Sequence, residues 1–337
     1  MRIIVLVLVL LIIDLISSLV PRDDLRSEAL SMPGAQGGTG FDDLNFSSKL
    51  HKILLPGGRT GRLYLIDPKT GVTSFIGGFS VDKNYLGGHT QSITSACEGG
   101  GFIFTTDRDT LRLHALDPQT NAIVASAPLS ALPDFVRFMD AANEVWVTQP
   151  GITGRIEIFK FSAHPKPVLS RSGFIDVPGG PEFLSVDRAR QIAYTNLYAG
   201  MTVGIDVRTR AILKRWANGC QSSRGIALDD KRGFLFVGCM EGKAVALDLK
   251  RDGLRVSSLL VPPGVDVIGY NPELSHLYVS SNVLSVIGVS GQGKLSLLGM
   301  GQAEEGAACT TGDDQGHIWV CNPQQGQLLL FKDSFKG

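Results

Sequence analysis

Seven positions recur where short apolar segments of this chain begin: Asp42, Gln91 with His89 beside it, Asp134, Glu182, Arg224, Asp266 and Glu305. Five of the seven carry a carboxyl group. Carboxylates gathered at one place can hold a hard cation such as Ca²⁺ through oxygen ligands or receive the cationic group of a ligand. They can also pair with Arg224 and with backbone amides, and so knit neighbouring segments together. At separations of about 7 Å and an effective dielectric of ~20, each like-charge pair costs about 2 kcal/mol. A proton, a bound cation or Arg224 must therefore accompany them.

A second set follows the next segment in each stretch: Arg59, Asp107 with Arg108, Gln149, Asn196, Cys239, Asn282 and Asn322. Amides and carboxylates on loops above a rigid scaffold are where ligands are commonly bound. Several catalytic signatures are absent: Cys-x-x-Cys-His for haem, His-Glu-x-x-His for zinc, Gly-x-x-x-x-Gly-Lys for phosphate and Gly-x-Ser-x-Gly for a nucleophile. The six histidines are scattered, and only His89 falls near the first set. Trp146, Trp216 and Trp319 lie inside apolar segments and read as packing residues.

The elements that position these residues form a repeat. The clearest copy starts at Arg224-Gly225-Ile226-Ala227-Leu228-Asp229, turns at Asp230 to Gly233, runs through Phe234 to Cys239, and continues with Ala244 to Asp248 and Val256 to Leu260. Equivalent segments begin near Phe41, Ser92, Phe135, Pro181, Arg224, Val265 and Gly306. Seven copies of about 40 to 50 residues, each with four short strands, predict an all-β, seven-bladed β-propeller with four-stranded antiparallel blades. Leu65-Ile66-Asp67-Pro68 and Leu116-Asp117-Pro118 place the same Asp-Pro turn after the third strand of adjacent copies. The last copy stops within six residues of Phe331 and lacks its fourth strand. Leu25 to Met32, ahead of the first copy, is shaped like that missing strand and is expected to close the ring.

The ends of the chain set the expected organisation. Arg2 precedes an apolar run from Ile3 to Ile13, interrupted by Asp14, in the pattern of a secretory signal or an uncleaved N-terminal anchor. The division expected is residues 1–20 as signal peptide or anchor, 21–40 as closing strand and linker, and 41–337 as one propeller domain. Lys plus Arg equals Asp plus Glu at 32 each, so no global charge recruits nucleic acid or anionic lipid. Gly numbers 40 of 337 and charged residues are 19%, a turn-rich composition that excludes disorder, coiled coil and helical bundle.

Gly179-Gly180-Pro181-Glu182 with Val186-Asp187, Gly219-Cys220 followed by Arg224 to Asp229, Leu235 to Cys239, and Gly264-Val265-Asp266-Val267 resemble the YncE-like, YVTN-type bacterial propellers. The resemblance covers nearly all of residues 41–333. It implies an exported, periplasmic binding or scaffold protein, and it departs from the family pattern where Cys239 and Ser280-Ser281 replace the common Ala-Asn. By residue type alone, Glu182, Asn196, Asp266 and Asn271 are similar to the divalent-metal set of gluconolactonase-like propellers.

Five cysteines complete the inventory. In an exported chain an even subset is expected to pair. Cys220 and Cys239 fall at the same end of one copy, and a bond there closes about 20 residues for roughly 3 kcal/mol. Cys309 and Cys321 flank a hairpin near Gln315, and Cys97 reads as a buried free thiol. The function expected is a monomeric, non-enzymatic scaffold that binds a protein or small ligand at its channel mouth through Asp42, His89, Asp134, Glu182, Asn196, Arg224, Asp266 and Glu305. The alternative is a metal-dependent lactonase-like hydrolase with Ca²⁺ at the acidic mouth. No nucleic acid is expected, and contact with a membrane only through the N-terminal segment.

Overall fold

A computed structural model describes residues 24–151 and 153–335; the expected signal or anchor segment lies outside them. Six antiparallel sheets of the ring are built from four consecutive strands each, and the seventh borrows its outer strand from the start of the chain. The fifth blade shows the pattern: Ser223–Asp229 innermost, then Phe234–Cys239, Lys243–Asp248 and Leu254–Leu260 outermost. Innermost strands all start on one face, called upper here. The loops between blades and those between second and third strands share that face.

Local chemistry sets the turns. Asp67 Oδ1 accepts from the amides of Lys69 and Thr70 at 3.1 and 3.0 Å, and Asp206 does the same for Arg208 and Thr209 at 2.9 and 2.7 Å. Each aspartate thus caps the turn into its outer strand. The outer pairings of five blades carry a register shift, for example between Gly204 and Ile205. Such bulges increase the twist that lets flat sheets pack radially.

Closure occurs as the sequence predicts. Ser27–Ser31 pairs antiparallel with Gln327–Lys332, from Ser27 opposite Phe331 to Ser31 opposite Gln327. Asp24–Leu25 then runs parallel to Leu295–Gln302 of the sixth blade, an addition the sequence did not suggest. Blades bury apolar side chains against one another. Phe104 of the second blade stacks on Phe138 of the third at 5.4 Å, and Trp146 and Trp319 are fully buried. Burying a side chain of this size contributes about 1.5–3 kcal/mol. Among the described residues no helix is long and apolar enough to cross a membrane.

Candidate functional site

Backbone hydrogen bonds between innermost strands fix which residues are equivalent. Asp43 N donates to Thr94 O, Gly225 N to Asp266 O and Val267 N to Ala308 O, at 3.1, 2.8 and 2.9 Å. The upper mouth of the channel is therefore ringed by Asp42, Thr94, Asp134, Glu182, Arg224, Asp266 and Ala308. Five of the seven positions match the sequence expectation, and two are corrected. Glu305 sits on an exposed turn, where Ala307 N donates to Glu304 O, and Ala308 takes its place in the ring. Gln91 serves its own loop instead: its Nε2 donates to Asp82 Oδ2 and Asn84 O, and its Oε1 accepts from the Leu86 amide.

That loop, between Thr73–Ile76 and Ile93–Gly99, carries His89 to the mouth. Gly40 is required where the loop crosses the chain, because a side chain there would collide with Gly88 O. His89 Nδ1 lies 3.0 Å from Asp42 Oδ1. Attraction to Asp42, aided by Asp266 and Asp134, raises the imidazole to about 10 against the opposing effect of burial. Arg108, from the exit of the second strand of its blade, enters as well. Its Nη1 lies 3.3 Å from Asp134 Oδ1 and 3.8 Å from Asp42 Oδ2. Arg224 Nη1 donates to Glu182 Oε1 at 2.8 Å, and its guanidinium lies 4.9 Å from the centre of the Tyr198 ring.

Four carboxyl groups, Asp42, Asp134, Glu182 and Asp266, thus stand with three cationic groups, Arg108, Arg224 and His89. With all seven ionised, one negative charge is left without a counter-charge. Its effect falls on the two most crowded acids. Burial first, then Asp42 and Glu182, push Asp134 well above the usual carboxylate range. Burial first, then Asp42, raise Asp266 to about 7. Among the described residues, Asp42 Oδ2 and Glu182 Oε2 are buried without a hydrogen-bond partner. Arg108 comes from the second candidate set, and Tyr198 is the mouth residue that sequence reasoning did not select. The signal for Arg108 was its place directly after Asp107, where the strand exit leans over the channel.

The four residues grouped by type as a metal set do not assemble. Asn196 is fully buried, with Nδ2 donating to Arg224 O at 2.7 Å and Oδ1 accepting from Thr202 Oγ1 at 2.7 Å. Its amide is spent on joining the fourth and fifth blades. Asn271 ends the strand Ile268–Asn271 on the lower face, and its Oδ1 caps the turn by accepting from Glu273 and Leu274 amides. At about 3.3 Å per residue, five residues of extended chain separate it from Asp266 by about 16 Å. Among the described residues the mouth offers a different triad, Asp42, His89 and Asp266, whose donor atoms lie within 4.8 Å of one another.

Much of the second set is structural. Arg59 clamps the closing linker by donating to Gly38 O and Gln36 O at 2.6 and 2.7 Å, and Gln149 is engaged with Glu157 and Arg155. Cys220 is bonded to Cys239 and Cys309 to Cys321, with Cα atoms 5.3 Å apart in both. Cys97 is free and buried, and burial pushes its thiol up to about 12. Below the mouth, Asp43 accepts from Arg137 Nη1 and Nη2 at 2.7 and 3.1 Å and from Ser95 Oγ at 2.6 Å. This layer ties three blades together, and Arg137 also lines a cavity in the lower half of the channel.

Solved structures share this architecture. A chain of a mitotic checkpoint complex is 12% identical, with 93% of this chain and 94% of that one covered at a TM-score of 0.74. The β-propeller domain of Myceliophteria thermophila Cps50 (Swd1) is 13% identical, with 90% and 98% covered at a TM-score of 0.67. No protein-family profile matches the chain, and no curated protein matches it. At these identities the likeness shows the fold alone, a seven-bladed β-propeller.

Proposed function

We propose that the protein is an exported docking scaffold whose upper face binds a partner segment and whose mouth receives one basic side chain of it. The observation that carries this reading is the charge balance of the mouth, four carboxyls to three cations, with Asp134 and Asp266 both pushed above the usual carboxylate range and one charge left to be met by a shared proton. A lysine or arginine supplies that charge in place of a proton. The rim suits a protein: Val81, Leu86, Leu132, Met240 and Leu260 are all exposed on upper-face loops or strand ends, Leu86 at 79% and Leu260 at 82%. Exposed apolar side chains around a charged centre are the composition of a docking face. Export is supported by the apolar N-terminal run, the paired cysteines and the YncE-like sequence resemblance. Calorimetric titration with the peptide acetyl-Gly-Lys-Gly-amide, against its Gln counterpart, tests the reading. Preference for the Lys peptide that weakens about tenfold in Asp266→Asn supports it, and equal affinity for both peptides refutes it.

A second reading, a metal-dependent hydrolase, draws on the proximity of Asp42, His89 and Asp266. Its difficulty is the proton on His89. A ligand imidazole must be neutral, and with a value of about 10 the proton reduces apparent metal affinity by about three decades at pH 7. Unchanged Tm with Ca²⁺, Mg²⁺ or Zn²⁺, together with no turnover of lactones, disposes of it.

A further inference from the structure

The lower half of the channel holds a cavity of about 480 Å³ lined from all seven blades. Its volume lies within the range of small-molecule sites and equals the space of about 16 waters at ~30 Å³ each. Arg137, held by Asp43, forms part of its wall together with Phe183.

The lining decides what fits. Each cation is already matched: Arg137 by Asp43 at 2.7 Å, Arg188 by Asp140 at 2.5 Å and Lys49 by Glu98 at 3.5 Å. An anion therefore finds no uncompensated positive charge there. What remains unspent is hydroxyl chemistry. Ser48 and Ser185 line the wall, as do Thr311, which makes only a long 3.5 Å bond to Gly312 O, and Thr310, which is 1% exposed and whose Oγ1 has no hydrogen-bond partner among the described residues. An apolar ligand would strip water from Ser48 and Ser185 and leave Thr310 unpaired, at a cost in affinity. A ligand with many hydroxyls, each both donor and acceptor, replaces that water group for group. Phe138, Phe183 and Tyr270 supply flat apolar walls between the polar positions.

We infer that the lower cavity is a binding site for a neutral polyhydroxylated molecule of one or two sugar rings. The test is saturation-transfer NMR and calorimetry on the full chain with glucose, trehalose and myo-inositol, with phosphate, citrate and n-octanol as the contrasting chemistries. Saturable binding of at least one of the three neutral compounds is expected. Thr310→Val, which removes the hydroxyl at nearly constant volume, should weaken it about tenfold with Tm unchanged, while Ser185→Ala gives a second readout if Thr310→Val shifts Tm. Affinity for the acetyl-Gly-Lys-Gly-amide probe at the opposite mouth should not change under saturating sugar. No saturable response to any of the three, tighter binding of phosphate, citrate or octanol, or sugar affinity indifferent to both substitutions overturns the inference.

Discussion

Arg224 of the fifth blade donates to Glu182 of the fourth at 2.8 Å, while the other oxygen of that carboxylate is buried without a partner among the described residues. The pair holds two blades together at the rim of the channel and is only half satisfied. Arg224→Ala strands the Glu182 carboxylate, whose side chain is 8% exposed. Loss of one partner of a fully buried pair costs about 3–5 kcal/mol. The figure expected here is about 2 kcal/mol, because Arg224 is partly solvated. Urea denaturation checks it, and adding Glu182→Gln to Arg224→Ala should restore most of the loss.

Stability should fall as pH rises through the acidic-to-neutral range. Asp266 is raised to about 7 from a usual value near 3.8, so between these values the folded state binds the extra proton and the slope of unfolding free energy with pH is negative. Asp134 acts in the same direction. His89, raised to about 10, contributes stability that is complete below its unfolded value near 6.5, falls progressively above it and is lost as pH passes through 10. Denaturation at pH 5 and pH 7.5 should show wild type less stable at the higher pH, and Asp266→Asn should reduce the difference.

The layer beneath the mouth makes its own prediction. Arg137→Met leaves Asp43 charged and buried, for a loss of about 3–5 kcal/mol. Pairing it with Asp43→Leu should recover much of that loss, as replacement of a buried ion pair by apolar groups often does. Thermal melts of the two single variants and the double variant decide the matter.

Thiol counting checks the covalent framework. The folded protein should react with no thiol reagent at pH 8, since Cys97 is 7% exposed and its thiol is pushed up to about 12. Unfolding without reductant should expose one thiol, and unfolding with reductant five. Cys220→Ser with Cys239→Ser should lower stability by about 3 kcal/mol through the larger freedom of the unfolded chain.

The repeat was legible because turn chemistry is local: the aspartates that end the third strands cap their own hairpins, and that pattern survives in one sequence. The N-terminal closing strand was legible from what the last copy lacked. Ring membership was legible where the copies have constant length, since Glu182, Arg224, Asp266 and Ala308 follow at intervals of 42 residues. Continuing that interval points to Ala308 rather than Glu305. The contact of Arg108 with Asp42 and Asp134, the place of Tyr198 and the Arg137–Asp43 layer were not legible, because partners on other blades meet only at the radius of the ring. The metal set failed for the same reason: residue type carries no information about which end of a strand a side chain occupies.

The central claim, that the mouth lacks one positive charge and takes it from a partner, is tested most directly by calorimetric titration of acetyl-Gly-Lys-Gly-amide at pH 6.5 in two buffers of different ionisation enthalpy. The account predicts binding coupled to release of about one proton, a coupling reduced in Asp266→Asn. Binding with no proton release, or equal binding of the Gln peptide, would contradict it.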